Sequence, residues 1–135
     1  MNTNLFTAFE ASFRNAGKRP AFRRSDGRVT TYSDLERETE RLAQALRTDG
    51  VMPGDRVAVQ VEKSIENVSL YLACLKVGAV YLPLNTAYTD SELDYFFSDA
   101  EPRLIVCKPE RRHGIDNLSS AAGVTLHSLD GDGGG

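Results

Sequence analysis

The run Leu70–Val106, LYLACLKVGAVYLPLNTAYTDSELDYFFSDAEPRLIV, decides the fold. It reads as the end of an apolar helix reaching Val77, a helix stop at Gly78, a short strand Val80–Leu82, a break at Pro83 and a loop through Tyr88. A second helix opens at Thr89, where Thr89-Asp-Ser-Glu92 makes a capping box. Its Leu93, Phe96, Phe97 and Ala100 fall at i, i+3, i+4 and i+7, the spacing that docks a helix on a sheet. Pro102 ends this helix and a further strand, Leu104–Cys107, follows. Helix, strand, helix and strand with short connections predict an α/β fold, a mostly parallel sheet covered by helices.

The chain on the N-terminal side supplies more of the same layers. Leu5, Phe6, Phe9 and Phe13 lie along one side of a first helix, and the segment from Pro20 to Tyr32 reads as two short strands joined through the hairpin turn Asp26-Gly27. Ser33-Asp-Leu-Glu36 reads as a capping box opening a helix whose buried stripe is Leu35, Thr39, Leu42, Ala43 and Leu46. The pairs Asp34/Arg37 and Glu38/Arg41 belong to its wet side, and Gly50 stops it. A turn at Val51–Arg56 launches a strand Val57–Val61, in which Ala58 and Gln60 alternate with valines. The helix after it, from Ser64, is apolar nearly all round, with Ser69 and Lys76 as its narrow polar edge. Such a helix needs cover on more than one side. No partner layer for it is evident in these 135 residues, which predicts an exposed apolar face and self-association through it. Past Cys107 a weak helical stretch leads to a strand around Val124–Leu129.

Composition limits the function classes. A hydrophobic fraction of 41% with 26% charged residues suits a soluble globular domain, and a net charge of −3 with scattered basic residues gives no nucleic-acid footprint. Val68–Leu84 is apolar enough to raise a membrane span, but Lys76 sits within it and Gly78 and Pro83 interrupt it. The N-terminus lacks the apolar core of a secretory signal, so no membrane partner and a cytoplasmic location are expected. Cys74 and Cys107 lie in apolar runs and read as buried reduced thiols. His113 and His127 have no companions at metal-ligand spacing, so no metal site is proposed in the chain.

The central run resembles a core motif of the adenylate-forming enzymes, the acyl-CoA synthetases and their relatives. The pattern is a helix ending Leu-Lys-x-Gly-Ala, then x-Tyr-x-Pro-Leu and an acidic helix opening; here the residues are Leu75, Lys76, Gly78, Ala79, Tyr81, Pro83, Leu84, Ser91, Glu92 and Leu93. The Thr-Tyr-Ser-Asp-Leu run before the long helix resembles the same family in register, and YLPLNTAYTDSELDYF is most like the malonyl-CoA synthetases. The resemblance implies an acid–CoA ligase: a carboxylate and ATP give an acyl-adenylate and pyrophosphate, and the CoA thiol then displaces AMP. It also implies ATP, Mg and CoA as the whole enzyme's cofactors and a small carboxylic acid, such as malonate, as its substrate.

By the same resemblance, residues 1–130 are an incomplete piece of the large N-terminal domain of that fold, and Gly131–Gly135 is a flexible tail. The family holds the ATP phosphates in a loop of the form Thr-Ser-Gly-Thr-Thr-Gly-x-x-Lys-Gly, and no such run is present here. The chain is therefore expected to be a fragment, inactive alone, with no catalytic residue of its own and no strong binding of these cofactors. One contact carries over: Asn85, Thr86 and Ala87, in the loop after the Gly-Ala-Val strand, and Arg111 and Arg112, beyond the next strand, are expected at the nucleotide end of CoA. A guanidinium fork suits a phosphate. Departures from the pattern are Thr86 and Ala87, where relatives carry glycines. An adenylation-domain fragment of a peptide synthetase and a non-catalytic interaction or regulatory module are the alternatives.

Overall fold

A computed structural model describes residues 20–23 and 27–129. The expected first helix through Phe13 and the C-terminal glycine tail lie outside them. Strand β1 (Pro20–Arg23) pairs antiparallel with β2 (Val29–Thr31), and Gly27 has φ +90°; Asp26, the other residue of the expected turn, lies outside the described residues. Helix α1 (Tyr32–Thr48) follows directly.

The N-terminus of α1 corrects the sequence reading by two residues. Its cap is Thr31 in extended conformation, not Ser33: the Thr31 hydroxyl accepts from the Asp34 N–H at 3.1 Å, and Asp34 accepts back from the Thr31 N–H at 3.0 Å. A shorter acid three residues on closes the box as glutamate would, so Thr31-Tyr-Ser-Asp34 competes with Ser33-Asp-Leu-Glu36 and wins because β2 delivers Thr31 already extended. The stripe is as expected, with Leu35, Thr39, Ala43 and Leu46 buried, and the Asp34–Arg37 and Glu38–Arg41 pairs form outside it. Gly50, at φ +84°, closes the helix as the Val51 N–H reaches the Leu46 carbonyl at 3.0 Å.

Beyond it run β3 (Arg56–Gln60), α2 (Ile65–Val77), β4 (Val80–Pro83), α3 (Asp90–Ala100), β5 (Leu104–Cys107), α4 (Arg112–Asp116) and β6 (Thr125–Ser128), with single 3-10 turns at Pro109–Arg111 and Ser119–Ala121. The four later strands form one parallel sheet in the order β4-β3-β5-β6. The α/β fold read from the sequence is the one present.

Alternation along the strands sorts the core into two layers. Val57, Val59, Leu104 and Val106 face Leu70, Ala73, Cys74 and Val77 of α2. Ala58, Ile105 and Cys107 face Leu93 and Phe97 of α3 and Ile115 of α4. Fully burying an aliphatic or aromatic side chain of this size contributes about 1.5–3 kcal/mol, so both layers are needed to offset the ordering of the chain.

The layering overturns two expectations about α2. Its partner layer is inside the chain: α1 lies across it, Leu35 packs with Leu72 and Leu75, and Lys76 pairs with Glu40 of α1. Ser69, read as part of a polar edge, is 0% exposed. The helix is buried on two sides, toward the sheet and toward α1, and the residues of that region left exposed are Tyr71 and Val80. Among the described residues no helix is long and apolar enough to cross a membrane.

Candidate functional site

The order of the strands and the sides taken by their connections put a change of side between β3 and β5. The connection leaving β3 runs through α2 over one face, whereas those leaving β4 and β5 run through α3 and α4 over the other. Neighbouring strands whose connections part in this way leave an opening above their C-terminal ends, where open parallel sheets receive ligands.

Three side chains tie the loops around that opening. Gln60, last residue of β3 and 1% exposed, donates through Nε2 to the carbonyl of Asn85 at 2.9 Å. Lys108, just past β5, reaches Glu62, just past β3, at 3.2 Å. Arg111 donates through Nη2 to Asp90 Oδ1 at 2.6 Å and to the carbonyl of Tyr88 at 3.4 Å.

The expected loop is a turn with its own internal bonds. The Tyr88 N–H donates to the Asn85 carbonyl at 3.1 Å and the Ala87 N–H to Asn85 Oδ1 at 2.8 Å. This second bond is an Asx turn and spends the Asn85 side-chain oxygen locally. Asn85 and Ala87 are exposed and Thr86 is half-buried, so the outward surface of the turn is made chiefly by Asn85 and Ala87. Directly after it, Thr89 caps α3 with the reciprocal Glu92 contact that the sequence predicts, and those bonds hold the Glu92 carboxyl below the usual carboxylate range.

Of the five sequence-predicted positions, the structure brings Asn85, Thr86 and Ala87 together with Arg111, through Tyr88 and Asp90. Arg112 stands next to Arg111 at the start of α4, is exposed, and makes no ion pair among the described residues. Both guanidiniums lie by the end of β5, where they draw down the Cys107 thiol, although burial dominates and pushes it up to about 11. Cys74, on the sheet-facing side of α2, is pushed up by burial to about 12. Neither thiol is a nucleophile near neutral pH.

Three participants were missed in the sequence. Tyr88 and Asp90 flank the predicted loop and act through a carbonyl and a helix-opening carboxylate, features that residue type does not advertise. Gln60 carried a signal, being the one polar residue in Val57-Ala-Val-Gln-Val61, but read as alternation it pointed to solvent. An open cleft lined by Tyr88, Ser91, Glu92, Tyr95 and Phe96 adjoins the turn on the side of α3.

Known proteins share this fold. Residues 9–133 match the AMP-binding enzyme family. The fold superposes on apo MatB from Rhodopseudomonas palustris with a TM-score of 0.88 and 44% identity, covering 98% of this chain and 26% of that one, and MatB has also been solved with ATP bound. In sequence the chain is 38% identical over 89 residues to 3-oxocholest-4-en-26-oate–CoA ligase of Rhodococcus rhodochrous, covering 66% of this chain and 16% of the ligase. It is 32% identical over 123 residues to surfactin synthase subunit 2 of Bacillus subtilis, covering 91% of this chain and 3% of that subunit. The chain thus spans about a quarter or less of each relative's length. With a family match over nearly its whole length, this chain belongs to the AMP-binding enzymes, on the pattern of the N-terminal domain of the adenylate-forming fold.

Proposed function

We propose that this chain is part of an acid–CoA ligase of the malonyl type and that its strand-end crevice receives the nucleotide end of CoA. The observation that carries the reading is the clamped turn Asn85–Tyr88 beside two arginines, above the C-terminal end of β3. A turn with its carbonyls held inward leaves a smooth outer surface for a sugar or base, and exposed guanidinium supplies the counter-charge for a phosphate. The malonyl assignment rests on the likeness to MatB across nearly the whole chain.

The chemistry of the whole enzyme uses ATP, Mg and a carboxylate. The residues here do not fit that chemistry, because no Ser/Thr/Gly-rich run with a following lysine is present, so the chain by itself forms no acyl-adenylate. Two measurements on the 135-residue chain test the reading. Malonate-dependent exchange of labelled pyrophosphate into ATP stays at the level of a heat-killed sample, and a CoA titration shifts the amide signals of 85–88 and 111–112. Exchange above background refutes the first statement; amides indifferent to CoA refute the second. On the whole enzyme that carries this segment, thioester forms faster with malonate than with acetate, and the reverse order refutes the malonyl reading.

The match to surfactin synthase subunit 2 favours a second reading, the adenylation domain of a peptide synthetase. It requires exchange in the whole protein to depend on an amino acid, and no response of the turn to CoA.

A further inference from the structure

Resting on the CoA reading, we propose that Gln60 is a positioning residue of the strand-end site and that its amide adds nothing to the stability of the core. It sets where the Asn85–Tyr88 turn stands, and the fold is as stable without it.

The turn hangs from β3 by two successive bonds. The first is backbone: the Leu84 N–H, one residue past β4, donates to the Val59 carbonyl at 2.8 Å and continues the β3–β4 ladder. The second comes from the side chain of the next residue of β3. Gln60 Nε2 donates to the next carbonyl of the departing chain, that of Asn85, at 2.9 Å. The Tyr88 N–H to the Asn85 carbonyl and the Ala87 N–H to Asn85 Oδ1 are internal to the turn. Those bonds shape it, and Gln60 fastens it to the sheet.

The other half of the same amide shows that stability is not what this residue supplies. Gln60 is 1% exposed on a central strand, and its Oε1 is buried with no hydrogen-bond partner. A buried polar atom left unpaired offsets what one neutral hydrogen bond contributes. The neighbours of Gln60 on that face of the sheet are apolar: Ala58 two residues before it, and Cys107, its partner in register on β5. An apolar side chain of equal length would remove the unpaired oxygen. It would orphan nothing, because the Asn85 carbonyl keeps the Tyr88 N–H at 3.1 Å. A glutamine at this place is explained by the turn that it holds and not by the core around it.

Two substitutions separate the roles. Gln60→Met keeps the length and volume and removes both polar atoms, whereas Gln60→Asn keeps the amide but falls one methylene short of the Asn85 carbonyl. In urea unfolding, Gln60→Met is expected to keep or raise the midpoint and Gln60→Asn to lower it. In ligand-free spectra of the 15N-labelled chain, both variants are expected to move the amides of 85–88 and to leave those of α2 in place. On titration with CoA, both are expected to bind about threefold to tenfold more weakly than the wild type, the size of one hydrogen bond. Displacement of the turn then follows loss of the bond and not loss of stability.

A midpoint that falls in Gln60→Met, or a failure of that variant to fold, makes Gln60 a structural residue and overturns the proposal. Amides of 85–88 that stay in place in Gln60→Met overturn it as well, as does wild-type CoA affinity in a variant whose turn has moved. A wild-type chain whose amides ignore CoA refutes the CoA reading, while the ligand-free spectra and the urea midpoints still decide whether Gln60 sets the turn.

Discussion

Gly78 ends α2 at φ +79° and meets the preceding turn from below: a Cβ built on it lies 3.3 Å from Pro53 Cβ and 3.5 Å from Pro53 Cα. Replacing it by alanine has two separable costs. Holding an L-residue in the left-handed region costs about 1–2 kcal/mol. The contact with Pro53 adds about 1 kcal/mol more, because the obstacle is a proline ring on its own backbone and cannot swing aside. Gly54 supplies the control. It sits at φ +87° with nothing within 4 Å of an added Cβ, and its N–H donates to the Gly78 carbonyl at 2.9 Å, so the two glycines belong to one local structure. Gly54→Ala carries only the conformational cost, and any gain from a stiffer unfolded chain is common to both variants. Urea unfolding followed by far-ultraviolet circular dichroism reads the difference as a shift of midpoint at constant slope. Gly78→Ala is expected to lose about 2–3 kcal/mol against about 1–2 for Gly54→Ala. Equal losses would refute the claim that α2 and the Pro53 turn are in close contact, and with it the packing that sets the start of β3 beside β4.

The corrected cap of α1 gives a paired test in the same assay: Thr31→Ala is expected to cost about 1 kcal/mol and Ser33→Ala less than about 0.5, and the reverse order would restore the capping box at Ser33. Acid sensitivity follows from carboxylates that the fold holds below their usual range: Asp94 by the side chain and backbone N–H of Ser120, Asp34 by the Thr31 cap and then Arg37, and Glu92 by the Thr89 cap. Because the folded values are the lower ones, their stabilisation is complete above the unfolded carboxylate range and is lost as pH falls from about 4 through the folded values. Asp94→Asn should therefore flatten the decline of the urea midpoint in that window. A variant as acid-sensitive as the wild type would mean that the Ser120 contact does not survive in solution.

How much of the fold could be read depended on which forces act within a few residues. Gly78, the Thr89–Glu92 box and the strand Leu104–Cys107 were all legible, because stops, caps and apolar runs are local chemistry, whereas Pro83, read as the break after the strand, is the last residue of β4, in register with Val59. The cap of α1 misled because two overlapping boxes satisfy the same rule, and only the pairing of β2 with β1 selects Thr31. The partner of α2 was hidden for another reason. The stripe of α1 was correctly placed, but nothing in it says whether it covers the sheet or another helix, and Leu35 does the second. A helix apolar all round, preceded by one that is not, is compatible with a stacked pair as well as with a missing layer.

The site follows the same division. The loop Asn85–Ala87 was found by resemblance, yet what shapes it is long-range: Gln60 is 25 residues away and Arg111 is 23 residues from Tyr88. A polar residue closing an apolar strand has two meanings. On an edge strand it faces water; on a central strand, with helices over both faces, it is buried and must find a partner, which is a loop carbonyl at the strand end. β3 is central, and Gln60 is the second kind. The position of a strand in the sheet thus converts an unremarkable glutamine into part of the site. The two adjacent arginines show the same effect at finer scale, since Arg111 and Arg112 differ by nothing in sequence and by one ion pair in the fold.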